Sequence, residues 1–126
     1  KGQQTVAETL TAKWAGKAIA LHIPEYYTYN VVTKHFEDQG ALPKDRKSDG
    51  MHDDPVITLN MFIDDPTSVR YDERVKAGKA SIDGVPLTDR AKITALAKQI
   101  VAFRADYTVA AINKGIAAKG KATMAQ

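Results

Sequence analysis

Apolar residues recur along this chain mostly at helical spacing. Val6, Leu10, Trp14, Ala18 and Leu21 follow one another every three or four residues, which predicts an amphipathic first helix. Thr5-Val6-Ala7-Glu8 fits a capping box, with Thr5 as N-cap and Glu8 at the third helical position. Pro24 is expected to end that helix and, with Glu25, to open a second one running to Gly40. The last helix is the longest, about 39 Å from Asp89 to Lys114 at 1.5 Å per residue. Thr88 is its expected N-cap, and Gly115 or Gly120 its expected end. Ile93, Leu96, Ile100, Phe103, Tyr107 and Ala110 form one apolar stripe on it. Val101, Ala105, Val109, Ile112 and Ile116 form a second. Two apolar faces on one helix predict burial from two sides, the second side being another subunit.

Between these helices the pattern changes. Residues 41–55 are polar and interrupted by Pro43, Gly50 and Pro55, which predicts a loop. Residues 56–63, Val-Ile-Thr-Leu-Asn-Met-Phe-Ile, are apolar, rich in β-branched types and bounded by prolines. They read as a short buried strand, a buried helix being the alternative. Asp65-Pro66 is expected to open a short helix toward Gly78. Asp83-Gly84 predicts a tight hairpin turn within 80–87. The expected fold is a predominantly α, helical domain with a long C-terminal helix and one short strand or hairpin (56–63, 80–87). No internal repeat is visible.

Length and composition narrow this picture. The chain has 126 residues, a size that fits one domain spanning 1–126 and can hold a core without staples. Hydrophobic residues at 44% and charged residues at 26% exclude a wholly disordered chain. The absence of cysteine removes disulfides, thiolate metal sites and thiol nucleophiles. No segment approaches the roughly 20 apolar residues that span a bilayer, none reads as a signal peptide, and no membrane partner is expected. Charge is banded. Residues 1–36 carry four basic and two acidic side chains, residues 37–73 four and ten, residues 74–126 ten and three. Two basic helical flanks therefore enclose an acidic, loop-rich middle. Such flanks suit a polyanion, or complementarity between subunits.

Candidate catalytic and metal chemistry is thin. His52-Asp53-Asp54, preceded by Asp45, Asp49 and Gly50, is the one metal-like cluster. An EF-hand starting at Asp45 fails, since Lys47 stands at its third position and Val56 at its twelfth. His22, His35 and His52 share no ligand spacing. Nucleophile-elbow and phosphate-loop motifs are absent from the sequence. No catalytic residue, metal site or cofactor is expected, and the chain reads as a non-enzyme. Lys1, Lys13, Lys17, Lys92, Lys98, Arg104 and Lys114, with Lys119 and Lys121 in the tail, have few acids nearby and can track phosphates. Trp14, Tyr26, Tyr27 and Tyr29 could stack on bases or belong to the core. Phe103, Tyr107, Val109, Ile112 and Ile116 are the candidate subunit interface.

Lys1-Gly2 and Lys13-Trp14 resemble the opening of the coat proteins of filamentous, rod-shaped archaeal DNA viruses, over about the first twenty residues. That family is small, helical, cysteine-poor and basic. The resemblance implies subunits that pair and wrap double-stranded DNA, with Lys1, Lys13 and Trp14 facing the DNA. Three function classes follow. The first is a structural assembly subunit, a virion capsid protein, that packs as a homo- or hetero-oligomer and contacts DNA phosphates; its location would then be the virion. The second is a protein-interaction module, such as an adaptor or tail component, without nucleic acid. The third is a small enzyme or metal-binding protein using the 45–54 loop.

Overall fold

Residues 56–63 form a helix, not a strand. Asp54 sits in an extended conformation and its side chain accepts the Val56 N–H at 2.7 Å, while Pro55 occupies the first helical position. That N-cap and N1 pair nucleates α3 (Pro55–Asp64). The β-branched composition misled because this helix is enclosed on most sides: Val56, Thr58, Leu59 and Phe62 are all buried. A helix packed all round loses the polar face by which helical period is read.

The structure, a computed structural model, describes residues 2–27, 29–46 and 54–124, with backbone alone at 25, 29 and 119–124. Its order is α1 (Gly2–Lys13), a 3₁₀ turn (Pro24–Tyr27), α2 (Tyr29–Asp38), α3, α4 (Tyr71–Lys76), a hairpin of β1 (Ser81–Ile82) and β2 (Val85–Pro86), and α5 (Arg90–Met124). The predominantly helical class and long C-terminal helix are as expected. The chain divides into two compact units, a terminal one of Lys1–Thr28 with Ala105–Gln126 and a central one of Tyr29–Arg104.

In the central unit, α2 stops where Gly40 takes a φ of 71°. The Ala41 N–H reaches back to the Phe36 carbonyl at 2.9 Å and the Gly40 N–H to Glu37 at 3.0 Å, a helix end that needs the left-handed residue. The loop beyond it is pinned by Arg46, whose side chain is only 6% exposed. Its guanidinium donates to the Pro43 carbonyl (3.1 Å), to Asp54 (3.3 Å) and to Glu37 (3.0 Å), joining the end of α2 to the cap of α3. Asp65-Pro66 does not open a helix directly. Asp65 instead accepts both the N–H and the hydroxyl of Thr67, building turns across 66–70, and α4 starts only at Tyr71. The Tyr71 hydroxyl donates to the Thr88 carbonyl at 3.2 Å, and Arg90 lies over its ring at 5.3 Å. The hairpin is as read: Asp83 and Gly84 both have positive φ, 48° and 78°, and Ile82 pairs with Val85. Asp89 rather than Thr88 caps α5, accepting the Lys92 N–H at 3.0 Å.

One core closes this unit. Val32 and Phe36 of α2, Val56, Leu59 and Phe62 of α3, Val85 and Leu87 around the hairpin, and Ile93, Ala97 and Ile100 of α5 are 0–5% exposed. They form a single cluster, with Leu96 and Phe103 packed against it.

Leu59→Ala and Ile100→Ala should each cost about 2–5 kcal/mol of stability, the range for truncating a fully buried large aliphatic side chain. Val101→Ala, on the exposed side of the same helix, should move the thermal midpoint far less; comparable losses for all three would contradict the core assignment. Thr67 hydrogen bonds hold the Asp65 carboxyl below the ordinary carboxylate range. A depressed carboxylate stabilises the fold above its unfolded pKa and loses that contribution as pH falls through the folded value. Thr67→Ala should raise the Asp65 midpoint in a carboxyl NMR titration, part of the depression remaining because the residue-67 N–H still donates.

Candidate interaction surfaces

The terminal unit is assembled from two ends of the chain. Nothing in Gly2-Gln3-Gln4 breaks a helix, so α1 starts at Gly2 and Thr5 lies within it. Thr5 is therefore not an N-cap: its carbonyl accepts the Thr9 hydroxyl, and Glu8 accepts from Gln4 at 2.6 Å. The helix also stops early, at Lys13 rather than near Pro24. Ala15 and Gly16 take φ of 47° and 83°, a left-handed pair that turns the chain back. The return is fixed by Thr11, whose hydroxyl accepts the Ala20 N–H at 2.9 Å and donates to the Ala20 carbonyl at 3.2 Å. Further along, His22 Nδ1 lies 3.3 Å from the Gln4 amide oxygen. The expected continuous helix from Pro24 to Gly40 is likewise broken into the 3₁₀ turn and α2.

α5 does not end at Gly115 or Gly120; it runs to Met124. Gly115 has a packing role instead. A Cβ there would lie 2.9 and 3.1 Å from the two Leu21 methyl carbons, so glycine lets the returning segment lie this close without displacing the Leu21 side chain. Val6, Leu10, Leu21, Tyr26 and Thr108 border an apolar groove of about 750 Å³. Tyr26 and Tyr27 stand edge to face at 5.1 Å.

Apolar exposure sets this unit apart. Among its described residues Ala7 is the one buried apolar side chain. The expected stripe is covered only in part: Leu10 is half-buried, but Val6 is 58% exposed and Trp14, beyond the end of α1, 37%. On α5, Val109 and Ile116 are 52% and 50% exposed and Ile112 and Tyr107 half-buried. Phe103 belongs elsewhere. Its ring stacks on His35 at 4.1 Å and meets Phe36 edge-on at 5.9 Å within the central unit.

The basic candidates spread widely. Lys13, Lys17 and Lys114 are exposed in the terminal unit. Lys17 lies beyond the end of α1, so it is not one helical turn from Lys13. In the central unit, Lys92 and Lys98 are exposed and Arg104 is half-buried. At about 100° per residue, side chains six apart point roughly 120° away from each other. These three therefore divide the circumference of α5 instead of lining one face. Lys1, His52 and Asp53 lie outside the described residues, as do Asp49 and Gly50. Asp54 is committed to its cap and to Arg46. Among the described residues, no group of three or more acidic or histidine side chains could hold a metal. None of their helices is long and apolar enough to cross a membrane.

The two units also differ in charge. The terminal unit has six basic side chains against three acidic, and the central unit twelve of each, so the net +3 belongs to the terminal unit. Compared with protein-family models, curated proteins and solved structures, the chain has no match.

Gly115→Leu places a good helix former in α5, so any loss it causes is steric. Hydrogen exchange should accelerate in α1 and residues 17–23, while amides of α3 and of Ile93–Ile100 keep their protection. Unchanged exchange around Leu21 would show that the contact with Gly115 is dispensable.

Proposed function

We propose that this chain is a non-enzymatic structural assembly subunit, a virion coat protein that packs with copies of itself and contacts DNA phosphates through exposed lysines. The observation that carries this reading is the terminal unit, which leaves Val6, Tyr26, Tyr27, Val109 and Ile116 in solvent with no large apolar residue buried among those described. An isolated unit this small with so little core is marginal, so covering these side chains is its natural source of stability. The unit also carries the net positive charge, with Lys13, Lys17 and Lys114 exposed on it, which suits non-specific contact with phosphates. The N-terminal resemblance to coat proteins of rod-shaped archaeal viruses supports the virion assignment.

A second reading, a protein-interaction module without nucleic acid, draws on the spread of Lys92, Lys98 and Arg104 around α5. Basic groups so arranged keep a surface soluble without presenting a continuous track.

Light scattering across a concentration series should show self-association, and Val109→Asp with Ile116→Asp should abolish it while leaving the central unit folded. Duplex DNA should bind without sequence preference, with a log–log salt slope of about 0.9 per phosphate neutralised. A chain that stays monomeric at high concentration would defeat the assembly reading. Absence of DNA binding at low salt would leave the interaction-module reading standing in its place.

A further inference from the structure

The central unit holds a cleft of about 450 Å³ that the assembly reading does not use. Three segments remote in sequence surround it: the loop after α2, the hairpin turn with β2, and the first turns of α5. Its floor is apolar, from the buried Leu42, Val85 and Ile93 and the half-buried Leu96. The volume lies within the roughly 300–1,000 Å³ usual for small-molecule pockets.

Among the described residues, charge at the rim is mostly positive. Glu37 borders the cleft, but its carboxylate is held 3.0 Å from the Arg46 guanidinium. Lys44 lies on the rim and is 69% exposed; its ammonium is 3.4 Å from Asp38, itself half exposed, a solvated pair that a better anion can displace. Lys92 is on the rim and exposed. Its backbone N–H goes to Asp89, and among the described residues its ammonium forms no salt bridge. Among the described residues, the cleft thus offers apolar walls beneath two ammonium groups, with its one bordering carboxylate paired to Arg46.

We propose that this cleft binds a small amphipathic anion, a medium-chain carboxylate, with its hydrocarbon against Leu42, Val85 and Leu96 and its carboxylate between Lys44 and Lys92. The hydrocarbon gains by leaving water, and the carboxylate gains charge-assisted hydrogen bonds from two ammonium groups that lack a buried partner. A neutral ligand of the same length gains the first contribution alone, so discrimination by charge is the signature of the site.

Titration calorimetry on the full chain with decanoate and with decanol, both below micelle formation, tests this. Decanoate should bind at least about tenfold more tightly, a difference of about 1.4 kcal/mol. Lys44→Met with Lys92→Met should bring decanoate down to the decanol level. Ala41→Trp, at an exposed position on the cleft, should abolish binding of both. Amide shifts of the unaltered chain should move at Ala41, Gly84 and Leu96, which keeps the assignment testable if a variant folds poorly. No decanoate binding, equal affinity for the two ligands, or shifts confined to residues 2–27 would each overturn the proposal.

Discussion

Burial of Ile93, Ala97 and Ile100 along one stripe of α5, in the same cluster as Val56, Leu59 and Phe62 of α3, is the interaction on which the rest of the central unit hangs. Both helices are sealed where they meet the core, four of those six side chains being at most 1% exposed. Segments on either side of α3 support that packing. Asp54 starts α3 with a side-chain cap, and Arg46 ties that cap to the end of α2. A charged group as enclosed as the Arg46 guanidinium is tolerated because two carboxylates and a carbonyl satisfy it. The hairpin and α4 close the remaining sides through Val85, Leu87 and Tyr71.

The terminal unit follows a different physical logic. Its backbone is held by polar contacts, Thr11 with Ala20 and Gln4 with His22, and by the close approach of Leu21 to Gly115. Those contacts fix the path of the chain without burying a large apolar side chain among the described residues. Hydrogen bonds of this kind contribute only about 0.5–1.5 kcal/mol each, net of what water would supply. Apolar burial is the larger source of stability, and among the described residues of this unit Ala7 is the one buried apolar side chain. The same unit holds the net positive charge. Exposed apolar side chains and net positive charge occur together in this unit, which is why the proposed function rests there.

Legibility differed by element. The hairpin turn was readable because Asp-Gly with two positive φ values is a local demand that few sequences meet. The start of the last helix was readable to within one residue, since Thr88 and Asp89 are both capping types and only side-chain direction chose between them. Residues 56–63 were misread because β-branched apolar runs look alike in a central helix and a buried strand. The end of α1 was misread because the Val6–Leu21 spacing continues past Gly16, and periodicity carries no sign of a reversal. Of the candidate interface, Val109 and Ile116 are exposed while Phe103 is taken up by His35 and Phe36, a partition that spacing along one helix does not contain.

The amino-acid sequence alone determined the helical class, the long final helix with its two apolar stripes, the hairpin turn and the lack of cysteine chemistry. These depend on local propensity and period, which act over a few residues. Tertiary structure decided which stripe is buried, where the charge collects and which glycine is a contact rather than a stop. It also decided that loop, hairpin and helix enclose a cleft between Lys44 and Lys92. Each of these depends on segments tens of residues apart being brought together, and the packing that does so is a property of the whole core rather than of any window of sequence.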